Sequence, residues 1–344
     1  MKYYLLSVSR GVPSINIGDY IQAVAASQYL PQIDGFIDRE GLNLYNGEEC
    51  KVIMNGWYMH YPMNWPPSDK ITPLFVSFHI NKLVKERMVK NDSVAYFKCH
   101  TPIGCRDIET AEILKKEGIE AYFSGCLTLT LGYKYKYTGM RSGVYIVDPI
   151  VHFSGRFEKC KWCVLSLKHL KEIKIIYNKY PKYERRKLSM WGLASKLYYV
   201  YRRYFSLQTI LGATYITHQE KHYLIDYKSD EERLNCALNL IRKYASAKMV
   251  ITSRIHCALP CLGLGTSVIY LYDDKQDEVS TCRLNGLVQL FNTVHVKGDT
   301  FYSKDIKFGE IKINENNCPP NKRLWKEYSE ALKLRCFKFI KGQE

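Results

Sequence analysis

The sequence predicts an α/β protein in which two Rossmann-like halves face a cleft. Three observations carry that expectation. Short β-branched runs alternate with helical patterns through the first third of the chain. A polar, Tyr-, Lys- and Gly-rich stretch at residues 132–143 then interrupts the alternation, and Val144-Tyr145-Ile146-Val147-Asp148 restarts it. Near residue 250 an apolar run stops, Arg254 and His256 follow, and a small-residue helix begins. Ligand crevices of α/β proteins open at such strand–helix junctions.

In chain order, Tyr3 to Ser9 reads as a buried strand and Arg10 to Gly18 as a loop rich in Gly, Pro, Ser and Asn. Asp19 to Leu30 is an alanine-rich helix, and Lys51 to Asn55 and Leu74 to Phe78 are short apolar strands. Ile108 to Glu117 is a helix stopped at Gly118, and Ala121 to Leu131 is the next strand. Beyond Val144–Asp148 the pattern resumes at Ala213 to Thr217. A charged helix from Asp230 to Tyr244, the strand before Arg254 with its helix, and Ser267 to Tyr272 follow. Leu324 to Phe339 reads as a terminal helix. The expected division is 1–133 for the first half and 134–344 for the second, the latter carrying an insertion at about 155–211 and the helix 324–339.

With 344 residues and 46% hydrophobic content the chain is long enough for a large core. Twelve cysteines are too few for a disulfide scaffold of this length. Cys160 and Cys163 form a single CxxC with no well-spaced partner pair, so unpaired thiols are expected and a zinc site is the lesser reading. The opening Met1–Val8 is expected to be a strand and not a signal peptide. No run approaches the roughly 18 apolar residues that span a bilayer. A cytoplasmic location is the expectation.

The net charge is +16, and fourteen Lys and Arg against three Glu place +11 of it between Arg156 and Arg203. Within that segment Ser189, Gly192, Lys196, Arg203 and Ser206 form a narrow polar stripe on a helical wheel. Trp191, Leu193, Leu197, Tyr201, Tyr204 and Phe205 fill the wide apolar remainder. A basic amphipathic helix of this kind suits an anionic membrane surface; the competing reading is a helix docked on the protein's own core. No nucleic-acid motif accompanies the charge, so nucleic acid is not an expected partner.

Arg254 supplies a planar cationic fork and His256 a group that moves protons near neutral pH. The free amides of the following helix, starting near Ser253 and Ile255, add anion donors. The chemistry pointed to is acid–base work on an anionic substrate. The plain alternative is that both side chains are bonded locally.

Asn16-Ile17-Gly18-Asp19 after the first strand, Gly104-Cys105-Arg106-Asp107 before a helix, and Ser253-Arg254-Ile255-His256 resemble, in order and rough spacing, the polysaccharide pyruvyltransferase family over about residues 3 to 300. The resemblance implies a GT-B-like two-domain fold. It also implies transfer of the enolpyruvyl unit of phosphoenolpyruvate to two hydroxyls of a sugar, giving a cyclic pyruvate ketal in capsular or exopolysaccharide biosynthesis. A galactose 4,6-ketal on a polyprenyl-linked saccharide at the inner face of the cytoplasmic membrane is the acceptor it favours. The family's glycine-rich turn after the third strand is here Asn55-Gly56-Trp57-Tyr58-Met59-His60, a departure on the acceptor side.

Under that resemblance, Arg254 and Arg106 clamp the donor's carboxylate and phosphate, with Ser253 and Ile255 alongside. His256 is the candidate acid for the enol carbon or the phosphate's partner, and Asp19 a second catalytic candidate facing the cleft. Asn16, Trp57, Tyr58, His60 and His79 are the acceptor candidates, with Trp65 and His100 behind them. Local readings stand beside each: Asp107 starts a helix and pairs Arg106, Asp19 caps its helix, and the aromatics are buried. The reaction needs no metal, nucleotide or other cofactor. The rival classes are a GT-B glycosyltransferase using a nucleotide sugar and a non-catalytic membrane- or nucleic-acid-binding protein.

Overall fold

The computed structural model describes residues 1–8, 15–181, 187–277 and 281–342. Most of the loop expected at Arg10 to Gly18 therefore lies outside the described residues, as do residues 182–186 of the basic insertion. The molecule is a mixed α/β structure with several parallel sheets. Lys2–Ser7 lies between Gly35–Asp38 and Cys50–Ile53, and Ile71–Leu74 completes the first sheet, all parallel. Pro73 sits in the edge strand, where its missing N–H costs no ladder bond. A second parallel sheet contains Gly56–Tyr58, Phe78–Ile80, Ile103–Cys105 and Ala121–Phe123.

Two expected strands end differently. The run Leu74 to Phe78 is split: Ile71–Leu74 belongs to the first sheet and Phe78–Ile80 to the second, with Ser77 at φ +58° between them. The run Ala121 to Leu131 is a strand only to Phe123; Gly125 at φ +71° turns the chain, and Leu127–Thr130 is a buried 3₁₀ turn. A fully buried apolar run carries no period to tell strand from helix. The first helix starts earlier than expected, at Ile17, because Asn16 Oδ1 accepts from Gly18 N and makes Asn16 the N-cap.

The second half is one six-stranded sheet in the order Thr214–Ile216, Val144–Val147, Met249–Thr252, Ser267–Asp273, Asn292–Lys297, Thr300–Tyr302. Only the last pairing is antiparallel. From Val144–Val147 the chain goes outward to Thr214–Ile216 and returns on the other side at Met249–Thr252. The order therefore reverses between Val144–Val147 and Met249–Thr252, and a crevice opens beyond their carboxyl ends. The first sheet repeats the device, with its reversal beside Lys2–Ser7.

The basic insertion is the crossover between Val144–Val147 and Thr214–Ile216, built of helices Arg156–Leu165, Leu170–Lys179, Lys187–Tyr201 and Leu207–Gly212. Here the amphipathic-helix expectation is corrected. Leu197, Tyr201 and Phe205 are fully buried against Ile146, Ile251 and Ile269, so the face assigned to a membrane covers one side of the sheet. Trp191 is half-buried and donates its Nε1–H to Ser166 Oγ at 2.7 Å. Lys196, placed on the solvated stripe, is buried between Glu158 and Asp299. Cys160 and Cys163 lie on Arg156–Leu165, and no cysteine among the described residues is in a disulfide. No described helix is long and apolar enough to cross a membrane.

The halves share a core: Ile21 and Val24 of the first helix pack with Leu240 and Ile241 of Asp230–Ser246. Tyr20 Oη–H donates to Asp230 Oδ1 at 2.6 Å, and Ile15–Asn16 pairs with Gln219–Glu220. The last helix, Trp325–Lys341, reaches first-half residues, its Ser329 Oγ–H donating to Leu129 O. Helix Ile255–Leu264 sits directly on the 3₁₀ turn. A Cβ on Gly263 would come within 2.5 Å of Leu129 O, so only glycine permits that approach. This seat fixes the helix that bears His256.

Candidate functional site

A cleft of about 290 Å³ opens where the strand ends of both halves meet. About half of the lining residues lie just beyond a strand end, as the parallel topology favours. Val8 follows Lys2–Ser7, Arg39 follows Gly35–Asp38, and Arg106 follows Ile103–Cys105. From the other side, His218 lies beyond Thr214–Ile216, and Ser253 and Arg254 beyond Met249–Thr252. Tyr270, Gln276 and Arg283 close that wall.

Arg254 is the N-cap of Ile255–Leu264, with extended backbone and its side chain one-third exposed in the cleft. Its Nε donates to Asp148 Oδ2 at 2.7 Å, leaving the two Nη groups to point elsewhere. The same Asp148 oxygen accepts from His218 N at 2.9 Å, and Ser253 Oγ–H donates to Asp148 O. Asp148 itself has φ +46° and lies just past the end of Val144–Val147.

Arg106 is 1% exposed, yet its Nε and Nη1 have no hydrogen-bond partner among the described residues. Burial holds its pKa below the usual arginine range, opposed by the charge of Asp107. The expected local ion pair with Asp107 is not formed. Asp107 accepts instead from Thr110 N at 2.9 Å, as helix cap, and shares a 2.6 Å bond with His79 Nδ1. A buried guanidinium with unspent donors is costly unless an anion completes it.

His256 is buried in helix Ile255–Leu264, its Nε2 unpartnered among the described residues. Burial first, then the charges of Arg106, His218, Arg283 and Arg39, hold its pKa well below the ordinary histidine value. His256 is therefore neutral near pH 7. His218 is pushed down to about 4, chiefly by burial, and shares a 2.6 Å bond between Nε2 and Tyr244 Oη. Gly18 packs against His256: a Cβ there would lie 2.9 Å from His256 Nδ1 and 2.9 Å from Asn16 Oδ1.

Asp19, in the first turn of Ile17–Ser27, accepts from Arg39 Nη1 at 3.3 Å and Gln22 Nε2 at 3.2 Å. Arg39 is buried between Asp19 and Glu40 and lies 5.4 Å from the Trp57 ring centroid. Glu40 accepts from the backbone N–H groups of His60 and Tyr61, which fixes the loop after Gly56–Tyr58. The Trp57 and His60 rings meet at a tilt of 56° with centroids 4.6 Å apart, and both line the cleft.

The cleft thus brings together Asn16, Asp19, Trp57, His60, Arg106, Ser253, Arg254, Ile255 and His256 of the residues expected from sequence. Asn16 Oδ1 is spent on its cap. Two acceptor candidates are corrected. Tyr58 is fully buried against Phe78 and Trp65, because alternate residues of Gly56–Tyr58 face opposite sides. His79 is buried behind Arg106, bonded to Asp107 and Thr110. Trp65 and His100 belong to the same aromatic cluster around Phe75 and line no part of the cleft. Sequence reading missed Arg39, His218, Tyr270, Gln276 and Arg283. His218 had a usable signal, standing just beyond a predicted strand; Arg39 follows a strand whose pattern was not seen. Among the described residues no group of three or more His, Cys, Asp or Glu is placed to hold a metal ion.

A family model described as polysaccharide pyruvyl transferase matches residues 16–275, a span that contains all three motif stretches. No curated protein matches the chain. Among solved structures, a functionally uncharacterized protein from Klebsiella pneumoniae subsp. pneumoniae NTUH-K2044 is similar at 12% identity and a TM-score of 0.42, over 86% of this chain and 93% of that one.

Proposed function

We propose, for a chain that belongs to the polysaccharide pyruvyl transferase family and so acts in pyruvyl transfer for polysaccharide biosynthesis, that phosphoenolpyruvate is the donor and a cyclic pyruvate ketal the product. The observation that carries this reading is the buried Arg106 guanidinium with unspent donors, facing a cleft that Arg254 enters from the opposite sheet. Phosphoenolpyruvate bears a planar carboxylate and a tetrahedral phosphate, and each offers a pair of oxygens that suits an arginine fork. The amides at the start of Ile255–Leu264 add anion donors beside Arg254.

Ketal formation adds a proton to the methylene carbon, and the oxocarbenium-like carbon then takes a first sugar hydroxyl. Phosphate leaves and a second hydroxyl closes the ring. Of the two hydroxyl protons one is balanced by the new methyl group and the other by the leaving phosphate. His256 is held neutral first by burial and then by the cations around it; the donor's negative charges offset those cations and favour a proton on it. In the filled site His256 is then the acid for the methylene carbon, and each such transfer contributes about 10²–10⁴-fold. Asp19, held by Arg39, is the partner that receives a hydroxyl proton. Trp57 and His60 form the acceptor wall, with Trp57 as the face on which a sugar ring stacks.

The acceptor in this reading is a lipid-linked saccharide, with the 4,6-hydroxyls of galactose as the first pair to test. Incubation of the enzyme with phosphoenolpyruvate and candidate lipid-linked saccharides should release phosphate and yield a ketal-bearing sugar by mass spectrometry. Release of a nucleotide from a nucleotide sugar, with phosphoenolpyruvate unconsumed, would overturn it in favour of a glycosyltransferase.

A further inference from the structure

The crossover helices present one face that the core does not use. On Arg156–Leu165 the inward side is fully engaged. Glu158 pairs with Lys196, the Trp162 ring packs at a tilt against Tyr199 with centroids 5.6 Å apart, and Ser195 Oγ–H donates to Trp162 O. The outward side carries Phe157 at 94% exposure and Val164 at 65%, with Lys161 exposed between them. Spacings of three and four residues put these on one face. The following 3₁₀ turn, Ser166–His169, continues the stripe with Leu167 at 68% exposure and an exposed Lys168. Large apolar side chains left this open mark an interaction surface.

We infer that this outer face, centred on Phe157, Val164 and Leu167, docks the protein on an anionic lipid surface. Charge complementarity selects that occupant. Lysines alternate with the apolar groups along the stripe, and the Arg156–Arg203 segment has a surplus of +11. Apolar tips that enter the interface beside ammonium groups that reach headgroups are the pattern of an in-plane membrane helix. Position supports it as well. Phe157 follows Asp148 by nine residues, so the stripe leaves the sheet at the same carboxyl end where Asp148 holds Arg254 in the cleft. Lys196 anchors the start of that connection through His152 O. A protein seated this way is peripheral. The inference does not depend on the donor or the reaction.

The test is flotation with vesicles of phosphatidylglycerol and phosphatidylcholine against phosphatidylcholine alone, with neither donor nor acceptor present. Wild type should float only with the anionic vesicles and leave a bound fraction in high salt. Lys161→Gln with Lys168→Gln should weaken partitioning on the order of 25-fold, at roughly fivefold for each lysine near the surface. Phe157→Ser with Val164→Ser and Leu167→Ser should remove the salt-resistant fraction, whereas Ile311→Ser, exposed elsewhere, should change nothing. Unchanged melting curves would show that the variants fold. Absence of wild-type binding, equal binding by all variants, or a wild-type dimer that the triple serine variant dissociates would each overturn the inference.

Discussion

Arg254 Nε donates to Asp148 Oδ2 at 2.7 Å across the point where the second sheet reverses its strand order. The two residues end neighbouring parallel strands, so the topology itself sets the pair at the cleft mouth. Asp148 uses one oxygen to fix both Arg254 and the His218 backbone, and thereby links both strands flanking Val144–Val147.

The first prediction concerns this pair. Arg254→Ala should cost about 2–5 kcal/mol in kcat/KM for phosphoenolpyruvate, the range for truncating one partner of a charged contact. Arg254→Lys should recover little, since an ammonium cannot hold Asp148 and a donor oxygen in one plane. Asp148→Asn should raise the donor KM more than it lowers kcat, because the guanidinium remains but is no longer held. Steady-state phosphate release reads all three; a wild-type donor KM in the alanine variant would remove Arg254 from the clamp.

Arg106 gives a prediction of opposite signs. Its unpartnered guanidinium is a burden on the empty fold, so Arg106→Met, apolar and of similar length, should raise stability by on the order of 1 kcal/mol or more. For a chain of this size that is about 1–2 °C or more in Tm. The same change should lower turnover by at least about 100-fold, the scale for losing a charged donor to a developing anion. A thermal scan and a rate on the same preparation decide it. A fall in both would make Arg106 a structural residue.

The site was more legible in the sequence than the elements that carry it. Arg254 and His256 stand at a junction where a β-branched run meets small residues, and Asp107 and Gly118 bracket a helix by ordinary capping chemistry. The run through Leu74 to Phe78 gave no sign of the corner at Ser77, because residues on both sides of the corner are buried. Lys196 was misread for a related reason: a wheel counts lysine as solvated, and the acids that bury it, Glu158 and Asp299, come from distant segments. Tyr58 and Trp57 are adjacent in a three-residue strand, too short for alternation to show which one faces the cleft.

The third prediction is a pH dependence. His256 and His218 both have folded-state pKa values below the unfolded value of about 6.5, chiefly through burial. Below that value the unfolded chain binds protons that the folded chain refuses, so stability falls as pH drops and is unaffected above about pH 7. Each histidine contributes up to about 1.4 kcal/mol per pH unit, and for His218 the loss continues down to about pH 4. Urea melts between pH 7.5 and 5 should show the slope, and His218→Gln should reduce it. Donor binding should add protons, since its charge offsets the arginines around His256. Calorimetry at pH 7.5 in two buffers of different ionisation enthalpy measures that uptake. Equal uptake by wild type and His256→Gln would take the acid role away from His256.

The last prediction tests how the two halves set the site. Gly18 opens the first helix beside His256 on the helix of the other half, and a Cβ at residue 18 would stand 2.9 Å from His256 Cβ and Nδ1. Nothing in the backbone of Gly18 demands glycine, since its φ is not in the left-handed region. The requirement is the close approach alone. Alanine is the better helix former, worth up to about 1 kcal/mol in a helix interior and less in this first turn. The contact works against it, because real Cβ atoms do not approach within 3.0 Å and the neighbours are a seated helix and a cap. Gly263 seats Ile255–Leu264 tightly on Leu129, and the atoms nearest the added Cβ are the His256 side chain and Asn16 Oδ1, so the strain goes there. Gly18→Ala should therefore lower kcat at least about tenfold while phosphoenolpyruvate affinity, dominated by the arginines, changes by less than about threefold. Gly18→Ser should be worse by its added volume. Stopped-flow donor binding beside steady-state turnover separates the two effects. Parallel losses in both would mean that the clamp moves with the histidine, and that His256 is not displaced on its own.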